Sequence, residues 1–178
     1  MIVVLWGVSG CGKTTVGRLL ARALDCDFHD ADDFHPQANV DKMRAGIPLT
    51  DDDRWPWLEE LAETLRHTLG QGGRAVLACS ALKQAYRDRL QVDPARVRFV
   101  HLSGSFATIA ARLGSRQHEF MSDSLLQSQF DTLEPCAVSW TLDIAACPAE
   151  LCQQVITLLE QDAAGRAQQK VVKSREST

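Results

Sequence analysis

The chain reads as an α/β protein in which a parallel sheet is sandwiched between layers of helices. Two observations predict this. Apolar runs of strand length, at residues 2–6, 75–79 and 97–102, alternate with stretches whose apolar residues recur at helical spacing. The first run, Ile2-Val3-Val4-Leu5-Trp6, is apolar at every position, which suits a central strand covered on both faces.

Each element follows in order. The first strand runs straight into Gly7, and after a glycine-rich loop Val16, Leu19, Leu20, Ala23 and Leu24 mark a helix. A short strand over 27–29 ends at Asp30. Pro36 opens a small helix that closes near Gly46. A longer helix from Trp55 carries Trp57, Leu58, Leu61, Leu65 and Leu69 on one stripe and stops at Gly70 and Gly72-Gly73. Residues 75–79 form the next strand, Ala81 to Leu90 a helix, and 97–102 a strand. Ser105 caps a helix to about Leu113. Residues 114–122 are polar and read as a mobile lid. A helix to about Leu133, a strand over 139–144 and a helix from Pro148 complete the pattern. Residues 1–162 then make one domain, and 163–178 read as a polar, disordered tail.

Bulk composition narrows the function classes. The 178 residues favour one core, and 45% apolar content lets it form without metal or disulfide staples. A net charge of -4 argues against a nucleic-acid binder, whose footprint would be basic. No run approaches the roughly 18 apolar residues of a membrane span, and the N-terminus lacks the basic start and cleavage site of a secretory signal. The six cysteines form no C-x-x-C pair, so reduced thiols in a cytoplasmic protein are expected.

Gly7-Val8-Ser9-Gly10-Cys11-Gly12-Lys13-Thr14 matches G-x-x-x-x-G-K-[ST] in full, between an apolar strand and an amphipathic helix. Glycines let the backbone curl until its N–H groups line one concavity, and the helix dipole adds positive potential there. The expected ligand is ATP, held by the main chain of Gly7, Ser9, Gly10, Cys11, Gly12, Lys13, Thr14 and Thr15. Lys13 supplies a cation to the β- and γ-phosphates, and the Thr14 hydroxyl is placed to ligate Mg²⁺.

Other residues must name the reaction. Asp30 and Asp32 project to one side of an extended chain, at a strand end where ligands gather in open α/β sheets. Asp30 would face hydrated Mg²⁺, and Asp32 an acceptor hydroxyl whose proton it takes. The alternative is that Asp32 or Asp33 caps the helix near Pro36. His35 would donate to a substrate hydroxyl or lie in a surface turn. Asp51, Asp52 and Asp53 complement a helix N-terminus, whereas Arg54 opposes that dipole and so points to an anionic substrate group. Lys83 and Arg87, four apart, would share a helix face as an anion site or a solvated pair. Arg112 and Arg116 flank the polar lid, where they would neutralise charge on the transferring phosphoryl group or simply decorate a surface loop.

Together these stretches resemble the gluconokinase family of small P-loop kinases, relatives of shikimate kinase and adenylate kinase. The resemblance spans about residues 2–160 and rests on GVSGCGKTT, DADDFHP, GIPLTDDDRWPWL, CSALKQAYRD, HLSGSF and LLQSQFDTLE. It implies a nucleoside-monophosphate-kinase-like three-layer fold with five parallel strands in order 2-3-1-4-5. It also implies ATP:gluconate 6-phosphotransferase activity, Mg²⁺ and a homodimer. The family's substrate pocket falls on Asp32, His35, Arg54, Lys83, Arg87 and Gln129, and its catalytic set here includes Lys13, Asp32 and Arg116. Two features depart from the family pattern: the lid reads Arg116-Gln117-His118-Glu119-Phe120, and Cys11 replaces a small residue. The rival readings are a kinase for another hydroxy-acid such as shikimate, and a nucleotide switch. The chain lacks the N-K-x-D guanine motif that a GTPase switch would carry.

Overall fold

A computed structural model describes residues 1–114 and 123–176. Its elements are β1 (Ile2–Trp6), α1 (Lys13–Leu24), β2 (Asp27–Asp30), a 3-10 turn (Ala31–Phe34), α2 (Gln37–Arg44), α3 (Asp51–Gly70), β3 (Ala75–Cys79) and α4 (Gln84–Leu90). β4 (Val97–Ser103), α5 (Phe106–Gly114), α6 (Asp123–Thr132), β5 (Trp140–Asp143) and α7 (Pro148–Glu176) follow. The five strands pair in parallel in the order β2-β3-β1-β4-β5, as the family resemblance implied.

β1 lies at the centre, and all five of its residues are buried. Val3 and Leu5 point into the core beneath α1, α5 and α7, with Val16, Leu20, Ile109, Leu151 and Val155. Ile2, Val4 and Trp6 point the other way, against Trp57, Leu58, Leu61 and Leu65 of α3 and Leu90 of α4. A strand sandwiched like this must be apolar at every position, which is why its sequence shows no alternation. Parallel register also brings Trp6 level with Cys79 and His101, so the loops that follow β1, β3 and β4 leave the sheet at one edge.

Three boundaries differ from the sequence expectation, each for a local reason. α3 begins at Asp51 rather than Trp55, because Thr50 and Asp53 form a reciprocal capping box. Pro56 then falls inside the helix, where its missing N–H leaves the carbonyl of the solvent-exposed Asp52 to water. α4 begins at Gln84 rather than Ala81, because Ala81 takes a left-handed conformation with φ 42°. α7 continues to Glu176, through residues that composition assigned to a disordered tail. Its Ala and Gln content favours helix, and Arg166 ties it to the body by bonding both Asp162 and the carbonyl of Ala95. The proposed lid, with Arg116 and His118, lies outside the described residues.

Two helical glycines give opposite expectations. A Cβ on Gly17 of α1 would stand 2.5 Å from the Phe28 ring, whereas one on Gly165 of α7 would meet nothing within 4 Å. Gly165→Ala should therefore gain up to about 1 kcal/mol from helix propensity. Gly17→Ala should lose stability, because overpacking costs about 1–3 kcal/mol and outweighs that gain. Urea denaturation of both variants reads the two signs.

Candidate active site

The glycine loop joins β1 to α1. Gly7 adopts φ 140°, and a Cβ there would stand 2.8 Å from the Leu102 carbonyl oxygen, so only glycine fits. Gly12, at φ 101°, caps α1 without offering a side chain, and the first turn of the helix holds no acidic residue. The N–H groups of that turn are thus left to an anion. Lys13 folds back over the loop, its Nζ donating to the carbonyls of Gly7 at 3.1 Å and Val8 at 3.0 Å. The buried Cys11 side chain contributes to the core beneath the loop.

β2 delivers the carboxylates. The Thr14 hydroxyl donates to Asp30 Oδ2 at 2.8 Å, so the two expected Mg²⁺ ligands stand side by side. Asp30 Oδ1 accepts the Asp32 N–H and caps the 3-10 turn, while α2 starts at Pro36 with no side-chain cap. Asp32 is thereby released from the capping role the sequence left open. Its carboxylate opens to solvent within a crowded recess. Desolvation there, and then the Asp30 charge, push its pKa upward, and Lys13 opposes the shift. That interaction places Asp32 within electrostatic reach of the phosphate loop.

His35 follows one turn later. Its ring stacks on Trp57 with centroids 4.2 Å apart, and Trp57 Nε1 is fixed by the Ala31 carbonyl. The buried Asn39 donates its Nδ2 to the Asp53 carbonyl and also approaches His35 Nδ1 at 3.3 Å. Since a carbonyl only accepts, Nδ2 is the donor, and His35 Nδ1 accepts. The imidazole is therefore neutral, with its proton on Nε2. Burial, and then the nearby Arg54, lower its pKa to about 4.

The cations of the far wall are already engaged. Lys83 Nζ reaches both Asp51 carboxylate oxygens at 2.8 Å, and the Tyr86 hydroxyl donates to Asp51 Oδ1 at 2.5 Å. Arg54 lies 4.0 Å from Asp51, over the Tyr86 ring, and donates to the Leu49 carbonyl. Asp51 thus does more than complement a helix dipole. Sequence reasoning missed Asp51 and Tyr86 in this role; the signal was the i, i+3 spacing of Asp51–Arg54 and of Lys83–Tyr86. Asp53 is likewise paired, with Lys42.

Two predicted substrate residues are used differently. Arg87 does not share an exposed face with Lys83; it is 1% exposed. Its guanidinium donates to the carbonyls of Ala81, Leu82, Glu134 and Pro135 and stacks 4.2 Å from the Trp6 ring centroid. It braces the left-handed turn at Ala81, which a periodicity argument cannot anticipate. Gln129 of α6 meets the phosphate loop itself, its Oε1 accepting the Ser9 N–H at 2.7 Å and its Nε2 donating to Ser9 Oγ at 3.0 Å. Arg112 ends α5 and donates to the Ile144 carbonyl. Among the described residues no group of three or more His, Cys, Asp or Glu side chains gathers as a metal site. Nor is any helix among them long and apolar enough to cross a membrane.

A phosphate loop at the sheet edge, with Asp30 at the end of β2, Asp32 in the turn after it, and cations at the starts of α3 and α4, defines a small-molecule kinase of the P-loop class. The shikimate kinase family profile matches residues 9–134. A gluconokinase of Arabidopsis thaliana is 43% identical over 173 residues, covering 89% of this chain and 92% of that protein. Another, from Gluconobacter oxydans, is 49% identical over 132 residues, 74% of each. The crystal structure of a gluconokinase from Sinorhizobium meliloti superposes with a TM-score of 0.84 at 40% identity, covering 94% of this chain and 95% of that one. The chain belongs to the gluconokinase family, within the shikimate-kinase-like P-loop enzymes.

The geometry makes two predictions. Arg87→Ala removes a buried guanidinium that bridges the carbonyls of the buried Ala81 and Leu82 to those of Glu134 and Pro135, and should cost about 3 kcal/mol or more in urea denaturation. Arg87→Lys should not restore it, because one ammonium cannot span both carbonyl pairs. A variant of near-wild-type stability would return Arg87 to the acceptor pocket. For His35, the folded pKa of about 4 lies below the unfolded value of 6.5, so the unfolded chain binds more protons between them. The stability contribution of His35 is complete above the unfolded value and is lost as pH falls toward the folded one. Denaturation midpoints measured across that window should decline, and less steeply in His35→Gln.

Proposed function

We propose that this chain is an ATP-dependent gluconokinase, transferring the γ-phosphate of ATP to the 6-hydroxyl of D-gluconate to give 6-phosphogluconate and ADP. The observation that carries the reading is the pairing of walls at one sheet edge. Lys13 and the loop amides suit a triphosphate, and Asp32, within electrostatic reach of Lys13, suits the hydroxyl that attacks it. Asp32 would accept the hydroxyl proton as the new O–P bond forms and the bond to ADP breaks. A carboxylate whose pKa is raised by desolvation and a like charge is better suited to that transfer than an ordinary one.

The acceptor's acid group would meet Arg54 and Lys83. Asp51, gripped by Lys83 and Tyr86 beside Arg54, illustrates what that wall holds well: a carboxylate. Neutral His35, with its proton on Nε2, suits a hydroxyl acceptor. Of the hydroxy-acid kinases, the gluconokinase relatives favour gluconate over shikimate. Mg²⁺ fits the paired oxygens of Thr14 and Asp30, hard donors that leave room for water; bound there, it would screen the phosphate charge. The lid residues Arg112 and Arg116 are assigned to that same charge. A cytoplasmic homodimer completes the reading, and six unpaired thiols suit a reducing compartment.

The test is acceptor-dependent ADP release across a panel of acids, with the product fixed by ³¹P NMR. Gluconate should turn over and shikimate should not; the reverse result rejects the substrate assignment. Lys13→Ala should abolish turnover, and Asp32→Ala should lower kcat by about 10²-fold or more. Because Asp32 must be ionised to take a proton, kcat/KM should fall as pH drops through its raised pKa. Asp32→Asn should lack that acid limb.

A further inference from the structure

We infer that Gln129 is a ligand for the transferring phosphoryl group of ATP, held in place by its clamp on Ser9, and is not part of the acceptor pocket. This rests on the kinase reading above and specifies one residue within it. The clamp is two-pronged: Oε1 accepts the Ser9 main-chain N–H at 2.7 Å, and Nε2 donates to the Ser9 hydroxyl at 3.0 Å. Both bonds are made to one residue of the phosphate loop, across 120 positions of sequence. The side-chain amide is therefore pinned in plane and orientation.

Two further facts point the amide at the γ-phosphate end. Lys13, the cation expected on the β- and γ-phosphates, donates its Nζ to Gly7 and Val8, immediately before Ser9. The Val8–Ser9 segment is thus the part of the loop nearest the transferring end, whereas the α1 amides lie toward the other phosphates. A primary amide also carries two N–H donors, and the clamp uses one. Among the described residues, the second Nε2–H has no hydrogen-bond partner. It projects from a rigid, half-buried amide at the mouth of the loop. Such a donor suits an anionic oxygen, and a hydrogen bond to a charged group is stronger than a neutral one.

α6 is the element that makes this possible. Leu126, one turn before Gln129, is buried in the core shared with Val8 and Ile109, so the helix cannot easily slide along the loop. The clamp is a tertiary contact between a helix anchored by the buried Leu126 and the phosphate loop.

The experiment uses the full-length chain and compares Gln129→Ala with Gln129→Glu. Glutamate keeps the length, still accepts the Ser9 N–H and accepts from the Ser9 hydroxyl, but it has no donor and adds negative charge. Affinity is measured by calorimetry with a non-hydrolysable ATP analogue and with ADP, with no acceptor present. Steady-state constants for ATP and gluconate follow. In both variants, affinity for the triphosphate should fall by about tenfold, the scale of one hydrogen bond to a charged group. Binding of ADP and KM for gluconate should change by less than about twofold, because neither contact is removed. The loss in Gln129→Glu should equal or exceed that in Gln129→Ala.

A Gln129→Glu variant that binds the triphosphate like wild type overturns the donor role. A raised KM for gluconate with unchanged nucleotide affinity returns Gln129 to the acceptor pocket. Tighter binding in Gln129→Ala makes the residue a plug on Ser9, and a fall in thermal stability alone makes it merely structural; either result overturns the proposal. Failure of the substrate assignment stays distinguishable, because the calorimetry needs no acceptor.

Discussion

Trp6 closes β1, and its surroundings set the position of the catalytic loop. The ring stacks against His101 of β4 with centroids 4.1 Å apart, lies beneath the Arg87 guanidinium, and donates its Nε1–H to Ser139. Immediately after it, the Gly7 N–H donates to the Ser80 carbonyl beyond β3. The phosphate loop is thus suspended from a buried aromatic held at once by β4, α4 and the segment before β5. Little of this comes from the loop's own sequence, which supplies only the freedom to curl.

Charge economy around the loop follows from that placement. Asp30 and Asp32 stand near Lys13, so the carboxylates share a site with the cation of the loop and do not repel one another unopposed. Across from them, Lys83 and Arg54 are held by Asp51 in a network completed by the Tyr86 hydroxyl. A surface pair of this kind adds little to stability. His35 remains neutral because its burial against Trp57, and then the nearby Arg54, disfavour a second proton. The walls meet through the short turn after β2, where the His35 N–H reaches the Asp32 carbonyl.

The fold was legible because its signals are local. Strand β1 announced itself by unbroken hydrophobicity, and the glycine loop by a spacing with few structural uses. Asp30, Asp32, His35 and Arg54 could be picked out because each sat beside a strand end or opposed a helix dipole. Arg87 and Gln129 could not be placed, since their partners lie 47 and 120 residues away. Helical periodicity assigned Arg87 to the same face as Lys83, yet the left-handed Ala81 delays the helix and turns that arginine inward. Asp51 was seen only as a cap neighbour because its partner, Lys83, lies 32 residues away.

The sequence alone determined the order and type of the elements, the phosphate-binding loop and the supply of acids and bases at the sheet edge. These depend on periodicity, glycine spacing and turn chemistry, all of which act over a few residues. Only tertiary structure decided which cation pairs with Asp51, which one braces a turn, and which amide grips the loop. Those choices are made by packing, because a buried side chain must satisfy its polar atoms with whatever backbone the fold brings beside it.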